Sequence, residues 1–166
     1  NLLFVPSSEL PSIVTLLDAE AGQPFKFRHK GYDKFTDADG YPAVKTPWGT
    51  LTAIDLTTGE FRWRETVGYF PELAARGLKN TGTEILGGCI ATAGGLVFMA
   101  GTADKHLRAF DSASGKVLWQ GELPAAGQAT PATYEAGGKQ FVVIACGGGN
   151  RLKTTPGDYF AAFTIS

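Results

Sequence analysis

The stretch that decides the fold is Ala53-Ile54-Asp55-Leu56-Thr57-Thr58-Gly59-Glu60-Phe61-Arg62-Trp63. It aligns without a gap on a second copy, Ala109-Phe110-Asp111-Ser112-Ala113-Ser114-Gly115-Lys116-Val117-Leu118-Trp119. In each copy an apolar strand ends at an Asp that can accept backbone N–H bonds, and a Gly supplies the left-handed position of the turn. A second strand then carries a Trp. The pattern predicts a β-hairpin with a bulky anchor.

The two tryptophans of this repeat, Trp63 and Trp119, are predicted to be structural. A small repeated sheet cannot cover both of its faces by itself. A large flat side chain at a fixed place in each repeat would fill the gap against the next repeat. We therefore expect each Trp to dock one unit onto its neighbour.

The spacing of the repeats indicates a β-propeller. The pairs Gly94-Gly95 and Gly137-Gly138 lie roughly 40 residues apart, and propeller blades repeat about every 40 to 50 residues. The 22 Gly residues and many aromatic residues also favour short strands joined by tight turns. We predict an all-β fold: a partial β-propeller of about three four-stranded antiparallel blades.

The blades divide residues 1–166, which we interpret as one domain fragment. Residues 47–70 complete a first blade, 84–123 form a complete blade, and 127–166 form a last, open blade that lacks its fourth strand. The strands expected in these blades are Leu2 to Pro6, Leu51 to Leu56, Cys89 to Thr92, Leu96 to Gly101, His106 to Asp111, Val117 to Glu122, Ala129 to Tyr134, Phe141 to Ala145 and Tyr159 to Ile165.

An irregular insertion is predicted at residues 13–46, inside the first, incomplete blade. This stretch is charged, long and broken by Pro, and such connections are common at functional rims. Within it, residues 17–22 repeat the Asp-to-Gly spacing without a following Trp. They fit either a decayed repeat or a plain loop.

Charge, hydropathy and cysteine use narrow the function classes. The net charge is -1 and no block of Lys or Arg occurs, so we set nucleic-acid binding aside. The apolar runs are too short for a membrane-spanning helix of about 20 residues. No signal peptide begins the chain, and we expect the true start to lie elsewhere. Cys89 and Cys146 read as small buried residues, although a disulfide between them stays open.

Other chemical motifs are weak. His29 and His106 have no paired acid at motif spacing, and His106 is expected to be exposed beside Lys105. The acidic run at residues 37–40 lacks the rest of a calcium loop and reads as a polar turn. The glycine run at residues 147–149 lacks the Gly-Lys-Ser/Thr of a phosphate loop, and we predict a mobile loop there.

Five segments share an order and spacing that is specific, although each alone is common. They are Trp48-Gly49-Thr50-Leu51-Thr52-Ala53-Ile54-Asp55, Asn80-Thr81-Gly82-Thr83-Glu84, Gly87-Gly88, Ala91-Thr92-Ala93-Gly94-Gly95-Leu96-Val97-Phe98 and Gly127-Gln128-Ala129-Thr130-Pro131-Ala132-Thr133-Tyr134. Together they resemble the C-terminal part of PQQ-dependent (quinoprotein) dehydrogenases, of the membrane-type glucose dehydrogenase and quinoprotein alcohol dehydrogenase kind.

The resemblance implies an eight-bladed propeller that holds pyrroloquinoline quinone (PQQ) near its axis beside Ca²⁺ or Mg²⁺. It implies oxidation of sugars or polyols in the bacterial periplasm, with electrons passed to a quinone or cytochrome acceptor of the respiratory chain. The alternatives are a PQQ-dependent alcohol dehydrogenase and a non-catalytic scaffold with similar repeats. The Asp-to-Trp hairpin corresponds to the family's tryptophan-docking motif.

The resemblance also implies that this chain works with missing N-terminal blades. No catalytic base or metal ligand of the family matches a residue here, so we expect the isolated chain to be inactive and not to bind PQQ or the metal by itself. Any membrane association would run through segments outside the chain. We expect the open blade edges to invite dimerisation.

Cofactor contacts are expected at two rim segments. Relatives place a contacting residue, often Trp, just before a Gly-Gly pair, and here that position is Leu86, followed by Gly87 and Gly88. A Leu can make only an apolar contact, although the glycines could leave backbone N–H groups accessible. The matching position in the next blade brings Gln128 and Ala129 towards the cofactor. Tight turns and a solvated amide are the competing interpretations.

A substrate-lining role is expected at a third segment, which precedes Leu86. Asn80, Thr83 and Glu84 are polar and could line a sugar pocket. The Asn-Thr-Gly run also forms turns without any ligand, so a purely structural role stays open.

Overall fold

The structure is a computed structural model that describes residues 1–164, apart from the side chain of Asn150. The chain is all-β, as predicted, with one α-helical turn and one 3-10 turn among these residues. The elements are β1 (Leu2–Ser8), β2 (Ser12–Ile13), β3 (Leu16–Asp18), β4 (Phe27–His29), β5 (Asp33–Lys34), β6 (Gly49–Asp55), β7 (Phe61–Thr66), α1 (Pro71–Ala75), β8 (Cys89–Ala91), β9 (Leu96–Met99), β10 (His106–Asp111), β11 (Val117–Glu122), β12 (Ala132–Ala136), β13 (Lys139–Cys146), a 3-10 turn (Asn150–Leu152) and β14 (Tyr159–Thr164).

Three antiparallel sheets form the blades. The middle sheet has four strands in the order β11-β10-β9-β8, while the first, β1-β6-β7, and the last, β12-β13-β14, have three each. Strands β10 and β11 have the predicted bounds. The last strand was predicted to reach Ile165, and that residue lies outside the described part of the chain. The partial propeller is therefore confirmed, with one four-stranded blade between two three-stranded ones.

The two repeat hairpins fold alike. The Oδ1 atom of Asp55 accepts the Thr57 N–H at 2.8 Å, and that of Asp111 accepts the Ser114 N–H at 2.8 Å. The turn glycines have φ angles of 77° and 76°, and each hairpin shifts its register at the same place, after its Ala. The predicted turn chemistry is confirmed, because a residue without a Cβ takes the left-handed position.

The hydrophobic core lies between the blades. One buried cluster joins the first and middle blades: Leu51, Ala53, Trp63, Val67, Val97, Met99 and Phe110. Another joins the middle and last blades: Ala100, Leu107, Leu123, Ala125, Val142, Ile144 and Cys146. Each sheet therefore buries its faces against its neighbours, which stabilises blades that would be marginal alone.

The insertion is more regular than a plain loop. Strand β3 pairs with β4 and β2 pairs with β5, and Gly22 takes a left-handed φ of 87° between β3 and β4. The plain-loop interpretation of residues 17–22 is therefore wrong, because they belong to a short hairpin. That hairpin lies outside the three blade sheets, and no Trp anchors it.

The long connections share one edge of the blades. Since consecutive strands are antiparallel, alternate connections lie at the same end, and backbone bonds link them: Trp48 N–H to Thr81 O, Leu86 N–H to Gly101 O, and Gly148 N–H to Ala126 O. We call this edge the rim; it comprises residues 9–48, 67–88, 100–105, 123–131 and 147–158. The repeat turns lie at the opposite edge.

Candidate functional site

The two segments predicted to approach a cofactor meet on the rim. Gly87 is exposed with a φ of 101°, and a Cβ there would lie 2.8 Å from the carbonyl oxygens of both Gln128 and Ala129. The Gly88 N–H donates to Thr130 Oγ1 at 3.1 Å. Residues 86–88 and 128–130 therefore form one continuous surface, and the absence of a side chain at Gly87 allows their close approach.

Several donors of this surface already have partners. The Leu86 N–H donates to Gly101 O at 2.9 Å. The Gln128 amide nitrogen donates to the carbonyl oxygens of Gly148 and Gly149, at 3.2 and 3.0 Å. The side chain of Gln128 is thus linked to the glycine run of residues 147–149, and the mobile loop expected there stays a prediction. Leu86, Gly87 and Ala129 contribute no polar side chain to this surface.

The residues predicted to line a substrate pocket differ in burial. Asn80 is exposed and takes a left-handed φ of 59°. Thr83 is fully buried, where its hydroxyl donates to Glu84 O at 3.0 Å and accepts the Ala103 N–H at 3.3 Å. Thr83 therefore supports the rim from inside, and Asn80 is the exposed member of this set, since Glu84 as a whole residue is only 8% exposed.

Glu84 links rim segments that are far apart in the sequence. Its side chain is 10% exposed; one carboxylate oxygen pairs with Lys34 Nζ at 3.3 Å and the other with Arg151 Nη2. Lys34 comes from the insertion and Arg151 from the connection between β13 and β14. Neither cation was predicted as a site residue. Both are far from Glu84 in the sequence, and no motif around them indicates that they meet it in the fold.

A buried ion pair lies at the rim end of β10. Asp104 is 4% exposed and pairs with Arg108, and it also accepts hydrogen bonds from the Thr102 hydroxyl at 2.7 Å, the Tyr69 N–H at 3.1 Å and the His106 N–H at 3.3 Å. A buried carboxylate needs such partners to offset its desolvation. This pair anchors the residues before α1 to the middle blade.

His106 does not match its prediction. Its side chain is only 18% exposed, and its Nδ1 atom lies 3.7 Å from Asp104 Oδ1. The expectation of exposure is therefore wrong, whereas the lack of a paired acid at motif spacing is a statement about the sequence that this contact does not test. Lys105 between the two residues has a left-handed φ of 57°, and this tight turn brings the carboxylate and the ring to the same side.

The two repeat tryptophans have different surroundings. Trp63 is 9% exposed, and its Nε1–H donates to Ser112 O of the middle blade at 3.0 Å. Trp119 is 40% exposed and packs edge-on against Phe163 of the last blade, with ring centroids 5.1 Å apart. Both rings contact the following blade, and their docking function stays a prediction.

Both cysteines are free thiols, and Cys146 is fully buried. Burial raises the pKa of both thiol groups. Among residues 1–164, no group of three or more His, Cys, Asp or Glu side chains is placed to hold a metal ion. Nor does any helix in that part of the chain have the length and apolar character needed to cross a membrane.

Comparison with known proteins identifies the family. The model of the PQQ glucose/ethanol/alcohol dehydrogenase β-propeller domain matches residues 1–142. Quinoprotein glucose dehydrogenase of Escherichia coli K12 is 44% identical over 137 residues, which cover 79% of this chain and 17% of that protein. A probable quinate dehydrogenase of Xanthomonas campestris pv. juglandis is 45% identical over 140 residues, which cover 80% of this chain and 18% of that protein.

A solved structure agrees with these sequence relatives. The quinohemoprotein alcohol dehydrogenase of Comamonas testosteroni superposes with a TM-score of 0.57 at 26% identity, over 87% of this chain and 20% of that one. The chain thus spans about a fifth of the length of the proteins it matches. With the repeat, the three blades and these matches in agreement, the chain belongs to the β-propeller family of PQQ-dependent dehydrogenases.

Proposed function

We propose that these blades act in a periplasmic PQQ-dependent dehydrogenase that oxidises a sugar or another polyol and passes the electrons to a quinone or cytochrome acceptor. The observation that carries the proposal is the meeting of residues 86–88 with residues 128–130 on the rim of a propeller of this family. The relatives named for glucose and quinate support a hydroxyl-rich substrate.

The chain's own residues would shape the cofactor side of the site. Leu86, Gly87 and Ala129 would supply a flat face for the ring system, since the amide nitrogen of Gln128 is used within the chain. When bound, PQQ supplies the oxidising quinone, with Ca²⁺ or Mg²⁺ beside it. We assign the metal ligands and the proton acceptor to other blades, and Trp63 and Trp119 to docking between blades.

An alcohol dehydrogenase is the second candidate, because the superposed enzyme of Comamonas testosteroni is named for alcohol. The same assay separates the two. The protein that carries these blades is loaded with PQQ and Ca²⁺, and dye reduction is followed with glucose, polyols and simple alcohols. We expect turnover of the hydroxyl-rich substrates and no turnover by residues 1–166 alone.

Two results would contradict the proposal. An absence of both PQQ binding and dye reduction by the protein that carries the blades would leave a scaffold as the better interpretation. A faster reaction with simple alcohols than with polyols would favour the alcohol dehydrogenase.

A further inference from the structure

A cleft of about 400 Å³ opens on the rim between the insertion and the connection from β13 to β14. Among the described residues that line it, the charged ones are Lys34 and Arg151, and both are cations. Tyr32 and Phe35 supply aromatic surface, and Thr36 supplies a hydroxyl group. The cleft therefore combines positive charge with apolar walls and a hydrogen-bonding group, within the size range of small-molecule sites.

Glu84 holds the two cations at this cleft without lining it. Each of its carboxylate oxygens pairs with one cation, and its side chain is 10% exposed, whereas those of Lys34 and Arg151 are 54% and 57% exposed. An ammonium group has three N–H donors and a guanidinium group has five. Both cations therefore keep N–H donors for a ligand. Because Glu84 supplies one negative charge against the two positive charges of Lys34 and Arg151, the cluster has a net positive charge.

The cleft adjoins the proposed cofactor side. Glu84 lies two residues before Leu86, and Arg151 lies two residues after Gly149, whose carbonyl oxygen accepts the Gln128 amide. Residues 86–88 and 128–130 do not line the cleft. The two contacts place its cations next to the segments that carry that surface, so a ligand held there would lie near the proposed cofactor side rather than on it.

We propose that Arg151 and Lys34 bind the carboxylate of an anionic substrate, so that the polyol oxidised by the enzyme is a polyhydroxylated carboxylic acid rather than a neutral sugar. The inference rests on the proposed function and names its substrate class. A guanidinium group matches the planar geometry of a carboxylate, and an ammonium group adds a mobile point charge. A neutral sugar would supply no negative charge, so Glu84 would remain the one anion paired with both cations.

The first test measures binding to the chain itself, without redox chemistry. Quinate serves as the anionic probe and myo-inositol as a neutral polyol of similar shape, titrated at low salt and followed by NMR. We expect saturable binding of quinate only, with an affinity loss of about tenfold in Arg151→Gln, the scale of a lost charge-assisted hydrogen bond. Arg151→Lys is expected to retain part of the affinity because it keeps the charge.

The control is Lys45→Gln, which removes an exposed cation of the same insertion that does not line the cleft. Its quinate affinity should equal that of the unchanged chain. Equal binding of inositol and quinate would overturn the inference. So would an Arg151→Gln variant that keeps full quinate affinity, because the cations would then serve only to hold Glu84 and the rim together.

The second test uses the protein that carries these blades, loaded with PQQ and Ca²⁺. Arg151→Gln is expected to lower the ratio of kcat/KM for quinate to that for glucose by about tenfold, mainly through KM. An unchanged ratio with active glucose oxidation would overturn the inference and leave the proposed function standing. Selective quinate binding without any dye reduction would support the inference about the cations and overturn the proposed function.

Discussion

The two repeat hairpins share one sequence template and differ in what covers them. Trp63 lies 9% exposed on the turn of the middle blade, where it donates to Ser112 O and where a Cβ at Gly115 would lie 2.7 Å from its ring. Trp119 is 40% exposed and rests on Phe163 and Gly121. The repeated sequence determines the shape of the hairpin. The next blade determines how deeply the Trp of that hairpin is buried.

This difference follows from the sequence of the neighbouring blade. The middle blade meets Trp63 with a second copy of the Asp-to-Gly turn, whose backbone offers a carbonyl acceptor. The last blade meets Trp119 with the edge-on ring of Phe163 on β14. The hydrogen bond of Trp63 to a turn carbonyl thus has its counterpart in a ring contact at Trp119.

The largest effect is expected from Trp63→Ala in the full chain. Truncation of a buried Trp leaves a cavity between blades, and we expect a loss of about 3 to 5 kcal/mol in the free energy of unfolding. Trp119→Ala should cost less, about 1 to 2 kcal/mol, because less area leaves the core. Urea unfolding of both variants measures the comparison, and equal losses would contradict it.

A smaller effect is expected from the glycines of the two turns. Gly59→Ala and Gly115→Ala both place a Cβ at a φ near 77°, but only Gly115 has the Trp63 ring beside it. Left-handed strain should cost about 1 kcal/mol at Gly59, and overpacking should add about 1 to 3 kcal/mol at Gly115.

The same urea experiment distinguishes these two variants, with each glycine serving as the other's control. Because Gly59 has open space around its Cβ direction, its variant reports backbone strain alone. If Gly59→Ala were the more damaging change, the docking of Trp63 on the following turn would not contribute to stability.

The smallest effect is expected from pH. The Ser114 hydroxyl and N–H lower the pKa of Asp111, and the Thr57 N–H lowers that of Asp55. A carboxyl group whose pKa is lower in the folded state stabilises the fold above its unfolded pKa, about 3.9, and this contribution is lost as pH falls through the folded pKa. Asp111→Asn should therefore weaken the decline of stability between about pH 5 and pH 2.

The measurement is urea unfolding at a series of pH values in that range, with Asp55→Asn as the matched variant from the other hairpin. Both substitutions should flatten the pH dependence in the same direction. A slope unchanged from that of the original chain would show that the turn hydrogen bonds do not favour the ionised carboxylates.

Local chemistry explains which parts of the fold could be predicted. The bounds of β10 and β11 and the geometry of both turns follow from residues within one hairpin, such as Asp111 and Gly115. The short hairpin of β3 and β4 was harder to predict, since Leu16 and Phe27 remain exposed and the segment lacks the alternation that burial imposes on a strand.

The rim shows where prediction from a single sequence stops. Leu86, Gly87 and Gln128 could be predicted as cofactor contacts because they follow a family pattern along the chain, and that role stays a prediction. Lys34 and Arg151 meet Glu84 only through the stacking of blades, which no local spacing encodes. The exposure of His106 was overestimated for the same reason, because Tyr69 from the connection between β7 and β8 packs against its ring, with centroids 6.4 Å apart.

The separation of long connections from repeat turns has a consequence for how such proteins diversify. The contacts that join blades come from the core between the sheets and from the repeat turn that receives Trp63, whereas the insertion and its cations lie at the rim. Residues 13–46 contribute nothing to the two buried clusters, so changes in their length or charge would alter the proposed substrate cleft without removing core packing between blades. Exchange of this insertion between relatives is thus a direct route to engineered specificity on an unchanged framework.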